Sequence, residues 1–274
     1  MRHALVRPPG DSFARAISSR NLPIDVELAR AQHAEYYAAL AAAGVVVEAL
    51  PADERYPDSC FMQDPAMVIG GHGIICRMGA PSRRGEEEAI AGALEGRFPP
   101  RQHHGTAMTR QPSGASLTYI IPPGTLEGGD VMVLPDKILV GRTARTNHAG
   151  VAQLVVALSE APPGEAPLPV YSVPVNDYLH LLSAATYVGR NTLIAVEAYA
   201  EHPHFAGLDV IVAPPEEAYA VNVLGLGESV IVPAGYPRVV AALRERGFDV
   251  LPVPVSEFAK ADGGVTCLAL VWGE

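Results

Sequence analysis

A thiol, an imidazole and several carboxylates stand just ahead of short apolar runs in this chain. Cys267 follows Asp262-Gly263-Gly264-Val265-Thr266 and opens the last apolar stretch, Leu268-Ala269-Leu270-Val271-Trp272. Two glycines let a backbone approach a ligand without a Cβ in the way, and a following strand aims the thiol from a rigid element. A lone Cys is a candidate nucleophile only in company with a His and a carboxylate; without them an inert buried thiol is the plainer reading. His180, in Asp177-Tyr178-Leu179-His180-Leu181-Leu182-Ser183, offers the imidazole, although a hydrogen-bonded core histidine fits the same apolar setting. Glu127, before Gly128-Gly129-Asp130, offers either a catalytic carboxylate or a turn acid. Asp58, Gln63 and Asp64 share a third polar block with Ser59, Cys60 and Pro65. Thiol, imidazole and carboxylates together suit nucleophilic attack with proton transfer to a leaving group.

The elements that must hold these groups repeat. Ala66 to Ile69 and Ile74 to Cys76, around Gly70-Gly71-His72-Gly73, read as strand, glycine turn, strand. The pattern returns at 130–134 with 137–140, at 185–188 with 192–196, and at 220–224 with 229–232; a fifth copy, 265–272, has no room for its partner. Helical spacing appears between copies at 86–94, 147–159 and 237–246. One more helix runs from Asp25 as N-cap through Leu28, Ala31, Tyr36, Leu40 and Ala43 to Gly44. A buried strand is expected at 45–50, and a polar loop at 10–23 is long enough to act as a lid. One unit repeated five times with helices between predicts an α/β propeller spanning 1–274 as one domain, closed by pairing the fifth copy with a strand at residues 3–7. Asp58 with Asp64, Glu127, His180 and Cys267 then sit at equivalent blade entrances and face a common axis. A flat nucleotide-binding sheet is the competing fold, disfavoured because no Gly-x-Gly-x-x-Gly or Gly-x-x-x-x-Gly-Lys follows a strand.

The balance of 30 acidic against 20 basic residues, formally −10, disfavours nucleic acid and anionic membrane as partners and suits a cationic small molecule. A homodimer stays open. Three cysteines, Cys60, Cys76 and Cys267, are too few and too odd in number for a disulfide framework, and no metal-ligand spacing is present. No signal-like or membrane-length apolar run is seen, so a cytoplasmic location is expected.

Taken in order, Leu50-Pro51-Ala52-Asp53-Glu54, the block 58–64, Gly79-Ala80-Pro81-Ser82-Arg83-Arg84, Leu126-Glu127-Gly128-Gly129-Asp130-Val131, Arg145-Thr146-Asn147, Leu179-His180-Leu181 and 262–267 resemble the dimethylarginine dimethylaminohydrolases of the pentein superfamily. The resemblance runs nearly end to end. It implies a five-bladed pentein propeller of ββαβ units that hydrolyses Nω-methylated arginine to citrulline and a methylamine, with no metal or organic cofactor. It further implies Cys267 as nucleophile, His180 as general acid and base, and Glu127 as the carboxylate orienting it. Asp58 and Asp64 match positions that hold the guanidinium, Arg83 and Arg145 those that hold the α-carboxylate, the Ala261 carbonyl the group facing the α-amine, and Ser18 a loop contact. Gln63 stands where family members carry Glu, which puts the substrate, not the reaction type, in question. The alternatives are a deiminase acting on arginine or another guanidino or ureido compound, and a ring-shaped binding protein without turnover.

Overall fold

Each expected hairpin forms, and each gains a third strand that the apolar pattern alone did not announce. The computed structural model of the chain describes residues 1–98, 102–104, 107–109, 116–159 and 167–273. In the second blade Ala66–Ile69 pairs antiparallel with His72–Ile75, and after the helix Glu87–Glu95 the strand Ser116–Tyr119 returns parallel to His72–Ile75. The third blade repeats this with Val131–Val133, Ile138–Arg142, the helix His148–Leu158 and Val170–Pro174. The fourth uses Ala185–Gly189, Thr192–Ala195 and Asp209–Val212; the fifth uses Leu224–Leu226, Ser229–Pro233, the helix Pro237–Glu245 and Asp249–Val253. The first blade is assembled from both chain ends: Ala269–Trp272 runs antiparallel to His3–Val6, which pairs in parallel with Val46–Ala49.

Five clusters of buried apolar side chains cement the ring, one at each blade junction. Leu5 and Leu270 meet Ala66 and Ile75; Met67 and Ile74 meet Val131 and Val140; Met132 and Leu139 meet Ala185 and Leu193; Val188 and Ile194 meet Val230 and Val250; Leu226 and Ile231 meet Ala4 and Val6. Because every blade buries apolar surface on both flanks, the closed ring follows from sheets too small to be stable alone. The fold is the expected five-bladed pentein propeller.

The boundaries differ from expectation in ways that matter for the site. Gly70 and Gly71 both take positive φ, 55° and 79°, so the turn needs two residues and the second strand starts at His72. Ala220 and Val221 belong to the 3-10 helix Pro215–Val221, and the fifth blade starts only at Leu224. Cys267 lies in a turn ahead of the strand Ala269–Trp272, not on it. Val46–Ala49 is a largely exposed edge strand instead of a buried one. The helix Val26–Ala42 starts on Asp25, whose side chain accepts from the Leu28 amide, but it buries Gln32 and His33 and leaves Leu28 43% exposed. Gln32 turns inward because its amide pairs with Ser256 Oγ at 2.7 Å and with the Glu257 backbone N–H at 3.0 Å. The segment 10–23 is no plain loop: Asp11–Arg15 is a 3-10 helix whose Phe13 is fully buried, 5.4 Å from the Phe258 ring.

Candidate active site

The polar groups collect at the ends of turns that enter the innermost strand of each blade. Seven of the ten expected residues, Asp58, Asp64, Arg83, Arg145, His180, Ala261 and Cys267, line one small pocket of about 20 Å³. Glu127 sits behind it, fully buried. The loop 10–23 contributes one residue to the cover of this pocket. Ile17 is that residue: its backbone N–H donates to both carboxylate oxygens of Asp58 at 3.2 and 3.3 Å.

The carboxylates and arginines form one buried network. Asp64 accepts from Arg83 at 2.8 Å and from the Gly129 backbone N–H at 3.2 Å. Arg83 also donates through Nε and Nη2 to Glu86, at 2.9 Å for the latter. Its guanidinium carbon lies 5.9 Å from the Phe61 ring centroid. Burial pushes the Asp64 carboxyl upward, yet His180 and Arg83 hold it below the usual carboxylate range. Burial dominates at Asp58, which is raised in spite of Arg83, and at Glu86, which is raised to about 7. Arg145 is the less committed cation, with only 3.4 Å contacts to Glu127, whose other tie is the Gly79 N–H at 2.9 Å.

Three carboxylates surround the imidazole. Nε2 of His180 is 3.5 Å from Glu127 Oε2 and 3.7 Å from Asp64 Oδ1, and Nδ1 is 3.3 Å from Asp130 Oδ1. Burial works against the cation here, but Asp64, Asp130 and Glu127 together raise its pKa to about 9. The Cys267 thiol moves the other way, pushed up to about 12 by burial and by the Asp64 charge, against N–H donation from Gly264 and a hydrogen bond from Thr266. Near neutral pH these shifts pair a protonated imidazole with a protonated thiol. Asp64, Glu127 and His180 also bring three potential ligand atoms within 4.8 Å of one another. Two of them already serve Arg83, Arg145 and Gly79, so the cluster is read as a seat for a cation and not as a metal site.

Three expectations need correction. Gln63 turns away from this pocket and lines a separate cavity of about 550 Å³ along the innermost strands, and only its backbone serves the site, donating to the Cys267 carbonyl at 3.2 Å. Ser18 does not line the pocket; its hydroxyl donates to the Lys260 carbonyl and accepts from the Arg20 and Asn21 amides, which pins the loop beside Ile17. The glycines before Cys267 do not serve a ligand alone: Gly263 lines the pocket, but a Cβ on it would stand 2.3 Å from Phe61, and one on Gly264 2.3 Å from the Asn222 amide oxygen.

Asn222 itself was overlooked, although the repeat marks it, since it precedes the fifth blade as His180 precedes the fourth. Its amide donates to the Leu182 carbonyl at 3.2 Å and to Thr266 Oγ1 at 2.8 Å, and accepts from the Thr266 N–H at 2.9 Å, stitching the histidine turn to the cysteine turn. Ile17 and Glu86 gave no signal, because an aliphatic residue in a loop and one acid in a run of three carry no pattern.

The description of N,N dimethylarginine dimethylhydrolase, eukaryotic, matches residues 8–196. The N(G),N(G)-dimethylarginine dimethylaminohydrolase of Pseudomonas aeruginosa is 35% identical over 98% of both chains. A crystal structure of that bacterial enzyme, a cysteine-to-serine mutant complexed with citrulline, superimposes with a TM-score of 0.88 over 98% of each chain. An arginine deiminase of Listeria monocytogenes is 29% identical over 72% of this chain and 50% of its own. With that likeness end to end, this chain belongs to the dimethylarginine dimethylaminohydrolase family.

Proposed function

We propose that this chain hydrolyses Nω-methylated arginine to citrulline and a methylamine through a covalent intermediate on Cys267. The observation that carries the proposal is the convergence of a thiol, an imidazole and two carboxylates, Asp58 and Asp64, on one buried pocket with Arg145 at its rim. A guanidinium carbon is a weak electrophile because its charge is spread over three nitrogens. Asp58 and Asp64 would grip those nitrogens in a site shielded from water, where charged hydrogen bonds are strong. Arg145 would take the far carboxylate and turn remote binding into orientation of the carbon over sulfur. Arg83 already directs three of its five N–H donors at Asp64 and Glu86, so its main part is to fix Asp64.

The proton ledger follows from the two shifted groups. A bound guanidinium brings positive charge beside the thiol and lowers its pKa, so sulfur loses its proton to solvent on binding, not before. The thiolate adds to the guanidinium carbon; the carbon–nitrogen bond to the methylated amine breaks as protonated His180 hands that nitrogen its proton. Neutral His180 then takes a proton from water, the hydroxide adds to the amidino carbon, and the carbon–sulfur bond breaks as the added hydroxyl gives its proton to the departing sulfur, leaving citrulline and the Cys267 thiol. Incubation with asymmetric dimethylarginine, monomethylarginine and arginine, scored for citrulline and released amine, tests the proposal. Equal citrulline and dimethylamine are expected; turnover of arginine alone, with ammonia released, would make the chain a deiminase.

A further inference from the structure

Asp130 is fully buried, and its carboxylate meets polar groups from two turns, the one that carries His180 and the one that carries Arg145. Oδ2 accepts from Thr143 Oγ1 at 2.8 Å and Thr146 Oγ1 at 2.6 Å; Oδ1 accepts from the Leu181 N–H at 3.1 Å and lies 3.3 Å from His180 Nδ1. Backbone and ring of the histidine turn are thus both registered on one carboxylate. The ring contact falls outside hydrogen-bond alignment, and catalytic contacts of this kind tighten as a substrate binds. Thr146 Oγ1 also accepts from the Glu127 N–H at 3.1 Å, so the threonine turn that holds Asp130 sets Glu127 as well.

Resting on the reading of His180 as proton carrier, we propose that Asp130 is its positioning residue, holding the Nδ1–H side so that Nε2 is the nitrogen presented to the reacting atoms. Glu127 and Asp64 lie at the Nε2 side, where the mobile proton is, and Arg83 and Arg145 line the same pocket. A carboxylate at Nδ1 fixes the tautomer and keeps the ring from swinging, and its charge favours the imidazolium that the leaving amine needs. Its own position is fixed by two hydroxyls and one amide, a support that an accidental neighbour lacks.

The test uses the full chain with 15N-labelled histidine, His180 being assigned by its loss in His180→Asn. The wild-type ring should carry its neutral-form proton on Nδ1. Asp130→Asn keeps the acceptor at Oδ1 and removes the charge; the His180 titration should fall by about 1–2 pH units, the range for loss of one close opposite charge, with a mixed tautomer. Thr143→Val, which removes a donor from Asp130 and leaves more of the carboxylate's charge to His180, should move the same titration upward. Glu127→Gln should lower the titration and leave the tautomer alone. In turnover, the alkaline limb of the kcat profile should track the titration while KM stays within about threefold, the scale of an indirect effect. An unmoved titration and tautomer in Asp130→Asn would overturn the proposal; if that variant does not fold, an unmoved or lowered titration in Thr143→Val does so. Because the resonance arms need no substrate, failure of methylated arginine to turn over would leave them decisive.

Discussion

Replacing Asp64 by Asn should separate two properties that usually fall together, thiol reactivity and turnover. The Asp64 carboxylate stands 3.7 Å from His180 Nε2, where a unit charge pair at an effective dielectric constant of about 20 interacts by about 4 kcal/mol. Partial screening and the remaining Glu127 and Asp130 charges bring this to a fall in the His180 pKa of about 1–3 units from its value of about 9. The same charge opposes ionisation of Cys267, so its removal should make the thiol easier to ionise. Iodoacetamide, which needs only a thiolate, should alkylate Cys267 of Asp64→Asn faster than wild type at pH 8. Turnover of dimethylarginine should nevertheless fall, because the guanidinium loses a charged hydrogen bond worth about 1.5–3 kcal/mol, a loss of roughly 10- to 100-fold in kcat/KM. The fold should survive, since Arg83 keeps Glu86 and the Asn oxygen still accepts from the Gly129 N–H. Timed alkylation read by intact mass, beside steady-state citrulline release from pH 6 to 10, gives both numbers. Alkylation slowed along with turnover would refute the electrostatic argument.

Cys267→Ser should lose turnover without change in thermal midpoint, since a hydroxyl offers no anion in this acidic surrounding; residual citrulline release well above background would remove Cys267 from the chemistry. Arg145→Ala should raise KM for substrates bearing an α-carboxylate by the equivalent of about 2–5 kcal/mol and change decarboxylated guanidines far less; equal losses in both would place the carboxylate elsewhere. Gln63→Glu should leave KM for methylated arginine within about threefold, because the side chain lines the axial cavity and not the pocket that would hold the guanidinium. It should lower stability by about 1–3 kcal/mol, since the Gln63 Oε1 position offers a carboxylate no partner; a large change in KM would mean that this side chain reaches the substrate.

Most of the ring was legible in the sequence because turns and apolar runs recur at fixed offsets, and the pairing of Ala269–Trp272 with His3–Val6 followed from counting strands. Third strands such as Val170–Pro174 escaped the pattern since their partners lie across a helix and their outer face is wet. Phe13 was hidden by its polar neighbours, although its ring packs among Phe61 and Phe258. Within the site, Cys267, His180 and Asp64 were legible from residue type and place in the repeat. Gln63 was misplaced because the chain bends and turns ahead of Ala66–Ile69, so Asp64 faces the pocket and Gln63 the axial cavity. Asp130 was visible as a polar residue, but its contact with His180 depends on how two turns from different blades meet, which no local pattern encodes.

The covalent step is the centre of the account, and trapping it is the most direct measurement. The wild-type chain mixed with excess asymmetric dimethylarginine and quenched in acid within the first turnovers should carry a substrate-derived amidino adduct. Peptide mapping should place it on the fragment containing Cys267, and its formation should release dimethylamine in equal amount before citrulline appears. The His180→Ala variant should form no adduct or should retain it without release. Citrulline production with no adduct on Cys267 at any quench time, or an adduct on Cys60 or Cys76 instead, would contradict the account.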